Sequence, residues 1–144
     1  MKNRIVEHDN WATPKEVYDK LDSEFHFDFD PCPLNLGEIT PEKDGLLIEW
    51  GGVNFVNPPY SRMLKEAFVK KAIEESKKGK LSVLLLPVST STKLFHEVIL
   101  PENPEIRFIK GRIKFLANGI KNDKYKAGQM DSMIVIFRGV KNEN

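Results

Sequence analysis

Cysteine is nearly absent from this 144-residue chain, Cys32 standing alone. A single cysteine excludes an internal disulfide framework and suits a reducing compartment such as the cytoplasm. An excess of charge of either sign is lacking too. Lys and Arg total 22 against 21 Asp and Glu, so the net charge is +1. Bulk electrostatics therefore do not mark a nucleic-acid binder, and only a local basic face could make one. No apolar run approaches the roughly 20 residues of a membrane span. The opening residues, Met1-Lys2-Asn3-Arg4-Ile5, lack the apolar stretch of a signal peptide. His8, His26 and His96 are scattered and share no ligand spacing with a cysteine, so no metal site is expected. There is no repeat, low-complexity tract or linker. What is present is ordinary globular composition, 40% apolar and 30% charged, in a length that fits one domain with its own core. That single domain is taken as 1–144, with its core over about 11–137.

Local patterns order the elements. Thr13-Pro14-Lys15-Glu16 is a capping box with Pro at the first helical position, which predicts a helix from Pro14. Val17, Leu21 and Phe25 form its apolar stripe. Phe25, Phe27 and Phe29 alternate with His26, Asp28 and Asp30, a period-two strand signal that ends at Pro31. Residues 31–45 are irregular, and Val53-Asn54-Phe55-Val56 is a short buried strand. Leu64, Ala67, Phe68 and Ala72 mark a long amphipathic helix stopped by Gly79. The apolar run Leu81 to Pro87 is a strand covered on both faces. A helix over 91–99 and strands over 106–109, 112–116 and 132–137 complete the pattern, with Phe95 and Phe108 assigned to the core. Strands alternating with helices predict an α/β fold, with a mostly parallel sheet and an antiparallel end.

The tetrapeptide Asn57-Pro58-Pro59-Tyr60 closes the 53–56 strand, where α/β sheets hold ligands. Its residues suit a planar NH2 group. An Asn side-chain oxygen and a backbone carbonyl can each accept one N–H, favouring a pyramidal and more nucleophilic nitrogen. The prolines remove donors and hold the carbonyls rigidly, and Tyr60 offers a stacking face for an extruded base. The alternative is an ordinary Asn-Pro-Pro turn. Asp30-Pro31-Cys32 falls at a second strand end, and that coincidence favours a site.

Taken in order, Trp11-Ala12-Thr13-Pro14, Phe29-Asp30-Pro31-Cys32, Asp44-Gly45-Leu46, Trp50, Asn57-Pro58-Pro59-Tyr60-Ser61 and Gly111-Arg112-Ile113-Lys114-Phe115 resemble the phage-type DNA N-6-adenine methyltransferase (Dam-like) family. The resemblance implies a Rossmann-like, S-adenosylmethionine-dependent methyltransferase fold without a separate target-recognition domain. It implies catalytic roles for Asn57, Pro58, Pro59 and Tyr60, acting on the N6 amine of an adenine flipped from double-stranded DNA. It also implies a cofactor site of Trp11, Thr13, Pro14, Asp30, Pro31, Cys32, Asp44, Gly45, Leu46 and Asn57. Within it, Asp30 would meet the cofactor's ammonium group and Asp44 its adenine amine. A phage or prophage origin, and so a bacterial host's cytoplasm, follows from the resemblance alone. The loop after the first strand departs from methyltransferases at large, since it is not glycine-rich. Thr13 could equally cap its helix, and Asp30 and Asp44 could be turn residues.

Ser61, Lys110, Arg112, Lys114, Lys121, Lys124 and Lys126 are the candidate DNA contacts, a basic strand and loop that could hold phosphates. The alternative is an edge strand guarded by lysine. Lys70, Lys71, Lys77, Lys78 and Lys80 with Glu66, Glu74 and Glu75 are expected to form a solvated helix face. Without a recognition domain, specificity should be short or depend on a homodimer. Two rivals remain open: a methyltransferase acting on a protein glutamine or RNA amine, and a non-catalytic binding relic of the fold.

Overall fold

The computed structural model describes residues 11–32, 44–59, 61–114, 116–117 and 129–139. The elements in chain order are β1 (Trp11–Ala12), α1 (Lys15–Phe25), β2 (Val53–Val56), α2 (Arg62–Ser76), β3 (Leu81–Pro87), α3 (Leu94–Ile99, a π-helical turn), β4 (Glu105–Lys114), β5 (Leu116–Ala117) and β6 (Gln129–Phe137). The main sheet runs β2-β3-β6-β4, and β1 pairs separately with β5.

This sheet corrects the expected direction. Only β2 and β3 are parallel, joined through α2, whereas β6 is antiparallel to both β3 and β4. The described sheet is therefore mixed and mostly antiparallel, rather than mostly parallel. The reason lies in burial. Residues 132–137 of β6 are all buried, as are 82–86 of β3. A strand covered on both faces reads as one apolar run whichever way it points.

Alternation within the strands divides the core into two layers. Val56, Leu84, Leu86, Met133 and Val135 face one side, where Phe68, Val69, Ala72 and Ile73 of α2 and Leu94, Phe95 and Ile99 of α3 cover them. Phe55, Val83, Leu85, Ile134 and Ile136 face the other, against Val17, Tyr18, Leu21 and Phe25 of α1. Each fully buried Val, Leu, Ile, Phe or Met among them contributes about 1.5–3 kcal/mol on burial. Tyr18 meets Phe55 edge-on with ring centroids 5.1 Å apart, and Arg107 of β4 grips Glu24 of α1 with two bonds of 2.8 Å.

Several local expectations shift. The strand foreseen through Phe25, Phe27 and Phe29 shrinks to one parallel bridge, Phe29 to Asn54, because α1 already claims Phe25. The strands foreseen over 106–109 and 112–116 largely merge into β4, with an irregularity between Phe108 and Arg112 where Gly111 takes φ +80°. Phe108 is 65% exposed there rather than in the core. Trp50 is buried and donates its indole N–H to the Gly45 carbonyl at 2.7 Å.

Glu75 departs most from its expected place. It is fully buried, not on a solvated face. Its carboxylate accepts the Trp50 N–H at 2.7 Å and lies 2.9 Å from Lys80 Nζ and 2.7 Å from Lys78 Nζ. Lys80 also donates to the Trp50 carbonyl. Glu75 therefore ties α2 to the chain entering β2 and β3, at the amino ends of those strands.

Candidate active site

The carboxyl ends of the parallel segments form one rim. Asp30 follows the Phe29 bridge, Asn57 follows β2, and Val88 follows β3, held by its N–H to the Asp131 carbonyl at 2.9 Å. On this rim the short motifs, far apart in sequence, meet through specific contacts. Asn57 donates its Nδ2 hydrogen to Thr13 Oγ1 at 3.0 Å, and the amide oxygen, Oδ1, is buried. The Cys32 thiol donates to the Asn57 main-chain carbonyl at 3.3 Å.

The Thr13 contact has a structural cause. Pro14, not Thr13, occupies the N-cap position of α1, and there is no side-chain cap bond. The foreseen capping box does not form, and the hydroxyl turns to Asn57 instead. Pairing of Trp11 with Ala117 and Ala12 with Leu116 delivers this segment to the rim.

A further contact joins the acidic motifs. A Cβ built on Gly45 would lie 1.9 Å from the Pro31 carbonyl oxygen, so glycine is what lets the 44–48 turn touch the 30–32 turn. Asp44 is buried, and its Oδ1 accepts the Leu46 N–H at 2.9 Å, a turn-closing role. Leu46 packs against the core.

Asp30 accepts the Cys32 N–H at 2.9 Å. Burial pushes its pKa up to about 6 against the smaller, opposing effect of that bond, and no cation among the described residues offsets it. A desolvated carboxylate lacking a cation suits an incoming ammonium group. This acceptor lies next to the close Gly45–Pro31 approach, where the backbone of the two turns meets.

The remaining candidates divide. Pro58 is buried and Pro59 half-buried behind Asn57, and Ser61 is exposed at the start of α2. Lys110 and Arg112 are exposed on β4, Arg112 lying 3.4 Å from Asp131. Lys114 belongs to the same strand, paired with Gln129. The first residues of β6 pair with this half of β4, and β6 also meets the carboxyl end of β3, so the basic strand belongs to the rim end of the sheet. Tyr60, Lys121, Lys124 and Lys126 lie outside the described residues. Among the described residues no cluster of His, Cys, Asp or Glu could hold a metal, and no helix is long and apolar enough to cross a membrane.

Sequence reading missed three cations near this rim, Arg62, Lys65 and Lys93, which line one cavity. The available signal was the position of Arg62 directly after the Asn-Pro-Pro-Tyr-Ser segment.

Comparison with known proteins agrees with the resemblance. The chain is 34% identical over 140 residues to the DNA N-6-adenine-methyltransferase of Haemophilus phage HP1, covering 90% of this chain and 78% of that protein. It is 34% identical over 97 residues to the enzyme of the same name from Escherichia phage T1, covering 62% of this chain and 40% of that protein. No solved structure matches. The sequence profile of the family described as DNA N-6-adenine-methyltransferase (Dam) matches residues 2–144, and the chain therefore belongs to that family.

Proposed function

We propose that the protein transfers a methyl group from S-adenosylmethionine to the N6 amine of an adenine extruded from double-stranded DNA. The hydrogen bond from Asn57 Nδ2 to Thr13 carries this reading. By committing the amide nitrogen, it fixes the plane of the side chain and makes Oδ1 the acceptor for one amine hydrogen. The carbonyl of Pro58 takes the second, and Tyr60 stacks on the base.

S-adenosylmethionine, when bound, supplies a methyl group made electrophilic by its sulfonium. The chain's own part is to bind and orient. Asp30 receives the ammonium group, and the Thr13–Pro14 segment and the Gly45–Pro31 contact shape the site beside it. Trp11 and the 44–46 turn complete the cofactor side. Cys32, a hydrogen-bond donor to the Asn57 carbonyl, links the cofactor turn to the catalytic one, so both reactants are held in one frame. Such positioning accounts for much of the rate in reactions between two bound partners. No strong base is needed, because the amine loses its proton after attack.

The test is methyl incorporation from labelled S-adenosylmethionine into an adenine-containing duplex, with Asn57→Ala in parallel. We expect incorporation at adenine N6 by the wild type and a loss of about 100-fold or more in the variant, the scale of removing one oriented polar partner. Full activity in Asn57→Ala, or no incorporation by wild-type protein that binds the cofactor, would overturn the reading.

A further inference from the structure

The loop leaving β3 and the first turn of α2 enclose a cavity of about 390 Å³. Arg62, Lys65 and Lys93 line it, with the hydroxyls of Ser89 and Thr92 and one carboxylate, Glu66. Both walls leave the rim that bears Asn57, since α2 begins just past the catalytic turn and Ser89 stands just past the end of β3. The cavity therefore opens beside the place where an extruded base would enter.

Its charges are not spent elsewhere. Arg62 makes a long, exposed contact with Glu66, 3.5 Å. Among the described residues, Lys65 and Lys93 have no carboxylate within ion-pair distance, unlike Lys71, Lys78 and Lys80, which surround Glu75. Three cations against one carboxylate leave the groove positive. The hydroxyls lie 3.2 Å apart and spend their protons within their own turn, Ser89 on Thr92 Oγ1 and Thr92 on the Ser89 carbonyl, so the lysines and Arg62 are the groove's donors.

We propose that this groove holds a backbone phosphate of the DNA strand next to the extruded adenine, a proposal that rests on the methyltransferase reading. Lysine and arginine side chains are usual partners of DNA phosphates, and such contacts fix register without reading sequence. Anchoring the strand here would set the distance between the held phosphate and Asn57.

The test uses a fluorescent adenine-containing duplex and the double variant Lys65→Gln/Lys93→Gln. Loss of the two lysines holding this phosphate should raise Kd about tenfold and lower the slope of log K against log salt by about 0.9, the value for one phosphate. Binding of S-adenosylmethionine should be unchanged. The charge-matched control Lys70→Gln/Lys77→Gln, exposed on α2 and just past its end, should bind DNA as the wild type does. A groove variant with wild-type Kd and salt slope overturns the proposal, as does a control weakened equally. Methyl incorporation is read separately. If the wild type methylates DNA and the groove variant still binds normally, the groove fails alone. If the groove variant loses binding but wild-type protein transfers no methyl group, the enzymatic reading fails and the groove remains a DNA contact.

Discussion

Glu75 and Asp30 are carboxylates held at opposite ends of one sheet, and their environments push them in opposite directions. Burial alone would raise both. At the amino ends of β2 and β3, however, Lys78, the Trp50 N–H and Lys80 outweigh burial and hold Glu75 at about 2. At the carboxyl ends, Asp30 has one opposing backbone bond, from Cys32, and burial lifts it to about 6. The first end spends its charges on holding the chain together. The second leaves a carboxylate and several lysines uncommitted, the condition for binding something else.

The largest expected effect removes the locked end. Glu75→Ala removes the buried acceptor shared by Lys78, Lys80 and the Trp50 N–H, leaving Lys80 its bond to the Trp50 carbonyl, and should cost about 3–5 kcal/mol in urea unfolding at pH 7. A loss below about 1 kcal/mol would end the contrast, because the cage would then contribute little.

The second acts on the uncommitted end and should run the other way. The pKa of Asp30 is raised on folding, so its ionisation opposes the fold. Stability is unaffected by this group below about pH 4 and declines as pH rises toward 6. Asp30→Asn should thus stabilise the free protein at pH 8, by about 1–3 kcal/mol, while weakening S-adenosylmethionine binding in calorimetric titration. Glu75 has the opposite sign. Its contribution is present above about 4.5 and is lost as pH falls toward 2, so Glu75→Gln should lower stability at neutral pH and flatten the acid limb of the stability curve. A variant Asp30→Asn less stable than the wild type at pH 8 would break the comparison.

The smallest effect concerns Phe108. Because it is exposed on β4, Phe108→Ser should change unfolding free energy by no more than about 0.5 kcal/mol. A loss of core size, above about 2 kcal/mol, would return it to the interior.

Much of the frame was legible in the residues. The run Leu81 to Pro87 is β3 as expected, and Val17, Leu21 and Phe25 do pack α1 on the sheet. These follow from periodicity, a local property. Thr13 misled because a capping box describes only the bonds a hydroxyl can make nearby, whereas Asn57 competes from 44 residues away. Glu75 misled because helical spacing to lysines looks alike on a wet face and in a buried cage. Strand direction was hidden for the same reason: buried runs record cover, not polarity.

By itself, the sequence determined most of the element types and the two-sided core strands, since each depends on the spacing of nearby residues. Only the tertiary structure decided the order and direction of the strands, the hold of Thr13 and Cys32 on Asn57, the close fit of Gly45 on Pro31, and which lysines are spent on Glu75 and which line the groove. Those depend on contacts between segments distant along the chain. Whether a charge is neutralised or left to bind is a property of that packing.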